Sequence, residues 1–138
     1  VVPANSSINK IADLAGKVVA VQDDSTGSYI IDGNDEMRNS LKEYRKYPDF
    51  AAVYMDIDSG RVEAAVVDAV LARYYDSKNP GKYRILEENL GDDVVAVAFR
   101  KDDKDYAPLI DKALDEMKKD GTAKKISEQW FNADLTNY

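Results

Sequence analysis

The clearest pattern along the chain is Val18-Val19-Ala20-Val21, apolar at every position and bounded by Gly16-Lys17 and by the polar stretch Gln22-Asp23-Asp24-Ser25-Thr26-Gly27-Ser28. Short runs of this kind fit strands buried on both faces, as in parallel sheets. A helix is predicted from about Thr26. Asp32-Gly33-Asn34-Asp35 interrupts it, since glycine and asparagine clusters break helices. The helical pattern resumes from Met37 to Glu43, and Lys42 to Tyr47 reads as a second strand or as the end of that helix. Asp49 to Ser59 reads as a helix with Phe50, Val53, Tyr54 and Ile57 on one face and Gly60 as its stop. Ala64 to Val67 is another apolar strand, Asp68 to Tyr75 another helix, Asn79-Pro80-Gly81 a turn, and Tyr83 to Leu86 a strand. Val94 to Phe99 reads as a late strand. Leu109, Ile110, Ala113, Leu114 and Met117 then stripe one helix, with Lys118 and Lys119 in its last turn and Gly121 just beyond it. Thr122 is predicted to cap a final helix with Ile126, Trp130 and Phe131 on its apolar face. Strands alternating with helices predict an α/β fold: a mostly parallel sheet flanked by helices in three layers, followed by C-terminal helices.

The length, 138 residues, suits one compact domain or one lobe of something larger. Nineteen basic against 26 acidic residues give a net charge of −7 with no basic stripe, which argues against nucleic acid and anionic membrane surfaces as partners. Histidine and cysteine are absent. The usual general base, the commonest transition-metal ligand and all thiol chemistry go with them. No apolar run approaches the ~18 residues of a spanning helix. The chain opens on Val1-Val2-Pro3, without a methionine and inside what reads as a strand, as expected of a piece of a longer protein or of a processed one.

In open α/β sheets, ligands sit beyond the carboxyl ends of the strands. Two loops qualify here. The loop after Val18–Gln22 offers the hydroxyls of Ser25 and Thr26 and free amides at a helix start, an anion site by geometry and dipole. The loop after Ala64–Val67 offers the Asp68 carboxylate, which suits a cation. An anion end and a cation end on one edge, with no base or nucleophile between them, suggest a zwitterion, of which an α-amino acid is the plainest. Ser25, Thr26 and Asp68 also suit plain helix N-caps, and a residue can do both.

Other patterns lead nowhere. Asp32-x-Asn34-x-Glu36, with Glu43 twelfth, imitates a calcium loop, but Met37 stands where the turn glycine belongs. Asp23-Asp24 lacks the further oxygen ligands a hard metal needs. Trp130-Phe131 reads as a packing anchor. No catalytic residue, metal or cofactor is expected.

Four blocks carry a family resemblance. INKIADLAGKVVAV, Ile8 to Val21, is similar to the I-x-x-x-x-D-L-x-G-K-x-V-x-V opening of the second lobe of amino-acid-binding proteins of ABC importers. Asp24-Ser25-Thr26-Gly27 stands where that family has G-[ST]-[ST]-[GA]. SGRVEAAVVDAVLARYY, Ser59 to Tyr75, resembles its x-G-R-x-D-A-x-x-x-D-x-x-x-x-x-Y block, and DGTAKKISEQWF, Asp120 to Phe131, its closing D-G-T-x-x-x-I-x-x-K-W-F. The blocks keep the family's order and span nearly the whole chain. The fold implied is the type II periplasmic-binding-protein fold.

The resemblance implies a non-enzymatic, extracytoplasmic binding protein, periplasmic or lipid-anchored at the outer face of the membrane, that captures a polar α-amino acid for an ABC permease. The family has two lobes that close on the ligand. Ser25 and Thr26, in the loop with Gly27, would take the α-carboxylate with help from an arginine of the first lobe, Asp68 would take the α-amino group, and Gln22 and Val67 would flank the side chain. The first lobe is missing. Residues 1–100 would form the second lobe, with hinge-crossing strands near 1–4 and 94–100, and 101–138 a helical segment normally packed with the first lobe. The orphaned stripes of that segment suggest a strand- or helix-exchanged homodimer of the fragment. Two departures stand out: Asp24 replaces the loop glycine, and Glu63 replaces the aspartate of the third block. The alternatives are an enzyme on the same fold, a dehydratase acting on a cyclic carboxylate, or the ligand-sensing module of a receptor.

Overall fold

In the computed structural model, residues 1–93 and 95–136 are described, and they fall into two compact units, Val1–Asp93 and Val94–Tyr138. The first unit holds the strands β1 (Val2–Pro3), β2 (Val18–Gln22), β3 (Glu43–Tyr47), β4 (Ala64–Ala65) and β5 (Tyr83–Arg84). Its helices are α1 (Thr26–Asp32), α2 (Asp35–Ser40), α3 (Phe50–Asp58) and α4 (Ala69–Lys78), preceded by a 3₁₀ turn at Ile11–Leu14. The main sheet has the order β3-β2-β4, all parallel, with Val18 opposite Glu43 and Val19 opposite Ala64. β1 and β5 form a separate antiparallel ribbon. The ambiguous stretch before Tyr47 is thus a strand. Its side chains are half-buried or exposed, as befits an edge next to the buried β2.

β2 explains the layering. Successive side chains of a strand point to opposite faces. Val18 and Ala20 join Val53, Tyr54 and Ile57 of α3, with Val62, Ala65 and Tyr83, in one core. Val19 and Val21 join Ile31 of α1, with Val2, Ile8, Leu14 and Ala64, in the other. A strand that serves two cores must be apolar at every position, which is the pattern its sequence shows.

The helices of this unit are fastened by their caps. Ser25, Asn34, Asp49 and Asp68 each accept a hydrogen bond from the backbone three residues on. Such caps stabilise a helix by ~1 kcal/mol each. The calcium-like run is consumed here: Asn34 caps α2 and Asp32 pairs with Lys46 at 2.7 Å.

The second unit holds α5 (Tyr106–Lys119) and α6 (Thr122–Phe131). The Ser127 hydroxyl, buried, donates to the Ala133 carbonyl at 2.8 Å and accepts from the Leu135 N–H at 2.8 Å, folding the tail back along α6. Two expectations are corrected. Of the strand expected at Val94–Phe99, Val94 lies outside the described residues, and 95–99 form no strand: Val95 is 83% exposed and Val97 59%. A strand exists only where a neighbour takes its N–H and C=O groups, and alternation alone supplies none. Nor does Thr122 cap α6. Gly121, at φ +83, precedes the helix, and the Thr122 N–H donates to Asp120 Oδ1 at 2.8 Å.

Candidate ligand-binding site

The carboxyl ends of β2 and β4 lie side by side because the strands are parallel neighbours, and the Val66 N–H extends the pairing by donating to the Ala20 carbonyl at 2.9 Å. Gly27, in the first turn of α1, rests directly on Val66. A Cβ at residue 27 would fall 2.9 Å from Val66 Cγ1, too close for a side chain. Only glycine lets the loop after β2 approach the segment 66–68 this closely. The two loops singled out from the sequence are therefore adjacent.

Each predicted residue has a definite place. The half-buried Ser25 donates its hydroxyl hydrogen to the Gln22 carbonyl at 2.7 Å and accepts from the Ser28 N–H at 3.1 Å, while Ser28 Oγ donates to the Ser25 carbonyl at 2.8 Å. Ser25 is thus a cap whose one proton is engaged. Thr26 is exposed. Among the described residues no acceptor takes the N–H of Thr26 or of Gly27, two of the donors that every helix start leaves open. Asp68 caps α4, with Oδ1 accepting from the Leu71 N–H at 2.8 Å. Gln22 closes β2 and donates from Nε2 to the Pro48 carbonyl at 3.4 Å. Val67 packs into the α3-side core rather than standing free.

The acidic pair separates into two roles. Asp23 faces Lys46, 3.3 Å away, which also holds Asp32. The hydrogen bond to Asp32, then that to Asp23, keeps the Lys46 ammonium pKa well above its ordinary value. Asp24 is exposed and sits at φ +53, in the left-handed region. This region favours glycine, and aspartate is among the few other residues that enter it readily. The backbone itself therefore accounts for a glycine motif at this position. Glu63 is structural: Oε2 accepts from the Val18 N–H at 3.0 Å and Oε1 from Lys17 at 3.1 Å, tying the starts of β2 and β4. The Val18 N–H is the main cause of its lowered pKa. Sequence reasoning missed Lys46 and Val66, whose single-residue identities carry no signal until strand order is known.

Among the described residues no group of three or more acidic side chains converges as for a metal ion. Nor is any helix among them long and apolar enough to cross a membrane. The loop after β2, with its open amides, and the segment that leads into the Asp68 cap thus share one edge of the sheet.

Residues 6–133 match the bacterial extracellular solute-binding proteins, family 3. The chain belongs to this family. Among its relatives is the L-cystine-binding protein TcyJ of Escherichia coli K12, 34% identical over 94 residues that cover 68% of this chain and 35% of that protein. Another is the histidine-binding periplasmic protein of Salmonella typhimurium LT2, 30% identical, covering 98% of this chain and 54% of that protein. Solved structures agree. An ancestral arginine-binding protein bound to glutamine superposes with a TM-score of 0.72 at 36% identity, over 94% of this chain and 57% of that one. An ABC uptake transporter substrate-binding protein from Streptococcus pneumoniae with bound histidine gives 0.79 at 27% identity, over 99% and 58%. These structures bear out the type II periplasmic-binding-protein fold read from the four sequence blocks. The chain spans between a third and just over half of the length of these relatives.

Proposed function

We propose that this chain is the second lobe of an extracytoplasmic amino-acid-binding protein, periplasmic or lipid-anchored, that delivers a polar α-amino acid to an ABC permease. The observation that supports this reading is the seat of Gly27 on Val66, which brings the loop after β2 against the segment that leads into Asp68. The open amides of Thr26 and Gly27 and the exposed Thr26 hydroxyl receive the ligand carboxylate. Ser25 shapes the loop, since its proton is held by Gln22. Asp68 Oδ2, which makes no hydrogen bond among the described residues, receives the ammonium. A first lobe supplies the opposite wall of the cleft, and the apolar stripes of α5 and α6 pack against that lobe or, in the isolated fragment, against a second copy. The site needs no catalytic group, and we read no reaction into it.

Titration calorimetry of the intact two-lobe protein against a panel of amino acids tests this. One or a few polar amino acids bind, and the 138-residue chain alone binds them weakly or not at all. Tight binding by the lobe alone, or none by the intact protein, sinks the reading.

A further inference from the structure

The first unit contains a polar atom that its own fold leaves unanswered. Tyr54 is 3% exposed, and its hydroxyl has no hydrogen-bond partner among the described residues. Such a group costs ~1–3 kcal/mol when left unsatisfied, and a phenylalanine would avoid that cost. Its presence calls for a function.

The packing around Tyr54 indicates what it serves. Its ring stacks on that of Tyr75, with centroids 3.9 Å apart and planes 5° apart, and meets the edge of Tyr83 at 4.9 Å. On α4, Asp68, Ala72 and Tyr75 follow the i, i+4, i+7 spacing of one helix face. Ala72, 3% exposed, is the small residue of that face, and Val67 packs into the same core as Tyr54. Tyr54 therefore packs, through its stack on Tyr75, on the α4 face that Asp68, Ala72 and Tyr75 share. The Tyr83 hydroxyl is engaged, donating to Asp58 at 2.7 Å. Asp68 uses Oδ1 for its cap. Burial above all, then Tyr83, Tyr75, Asp68 and Asp76, raises the phenol pKa, so the hydroxyl keeps its proton at neutral pH and faces carboxylates as a donor.

We propose that Tyr54 is a positioning residue for Asp68: its hydroxyl donates to the second carboxylate oxygen, directly or across one water, when a bound ligand strips that carboxylate of solvent. The proposal rests on the reading of Asp68 as the ammonium-binding group. A donor from the interior fixes the direction of the carboxylate at the moment the cleft closes.

The test uses the intact two-lobe protein and an amino acid that the wild type binds. Tyr54→Phe keeps the ring and its stacking and removes only the hydroxyl. The expected result is an unchanged or higher melting midpoint together with a three- to tenfold weaker affinity. Asp76→Asn, which removes the other carboxylate near the phenol, leaves affinity unchanged. Wild-type affinity in Tyr54→Phe overturns the proposal while leaving the binding reading intact. So does a parallel fall of midpoint and affinity, or an Asp76→Asn variant that reproduces the loss of affinity. A wild type that binds no amino acid removes the reading on which the proposal rests.

Discussion

Strand β2 and helix α5 both carry a clear apolar pattern but differ in what surrounds it. Val19, Ala20 and Val21 are fully buried, whereas Leu109 is 62% exposed and Leu114 42%. The contrast extends to the helix ends. Each α-helix of the first unit is capped by a side chain, while Asp105 and Gly121, at the starts of α5 and α6, make no side-chain cap bond. Hydrophobic periodicity states which face requires burial. It does not state whether the partner lies in the same stretch of chain. The first unit closes its own core, whereas the apolar stripe of α5 stays exposed.

The largest expected effect breaks this comparison most directly. Ile31→Ala in the 138-residue chain costs ~2–5 kcal/mol of unfolding free energy, as for other buried isoleucines. Leu109→Ala costs no more than ~0.5 kcal/mol, as for exposed positions. Denaturant titration of both variants measures the difference. A similar loss from Leu109→Ala would mean that its face is already covered, and a dimer in sedimentation would then identify the cover.

A smaller effect sharpens the contrast between capped and uncapped helices. Asp68→Ala loses a cap, ~1 kcal/mol of stability. In the intact protein it also loses ~2 kcal/mol or more of ligand affinity, as when a charged hydrogen bond is broken in a closed site. Asp105→Ala changes stability by less than ~0.5 kcal/mol, having no cap bond to lose. Asp68→Ala with full affinity by calorimetry would reduce Asp68 to a cap alone.

The smallest effect concerns the two non-glycine residues at positive φ, Asp24 at +53 in the first unit and Asn132 at +52 in the second. Asp24→Gly relieves a left-handed residue and raises the denaturation midpoint, by at most ~1 kcal/mol in stability, with amino-acid affinity kept or improved. Asn132→Gly leaves the midpoint of the first core where it was. If Asp24→Gly abolishes binding, the Asp24 carboxylate selects a cationic side chain instead.

Most of the first unit was legible in the sequence because its signals are local. The apolar run at Val18–Val21, the break at Gly33-Asn34 and the caps at Ser25 and Asp68 each state their structure within a few residues. The expected division of labour in the loop was only partly legible. Ser25 and Asp68 both proved to be caps, and which donors stay open depends on the Ser25–Gln22 hydrogen bond, which no spacing rule specifies. Asp24 looked anomalous until its backbone angle was known, since aspartate is at home in many turns. The strand expected through Phe99 failed for the opposite reason: its alternation is real, but pairing is a property of two strands. Tyr54 read simply as core, because a sequence shows a phenol and not whether its oxygen is answered.

The seat of Gly27 on Val66 has a consequence for selectivity. Backbone pressed against a β-branched side chain ties the open amides of α1 to the strand segment that leads into Asp68. In the proposed site the span from those amides to the Asp68 carboxylate is a ruler set to the one dimension all α-amino acids share, from carboxylate to ammonium. In that site residue 27 would serve the head of the ligand, while its tail is left to Gln22, Val67 and the opposite wall of the cleft.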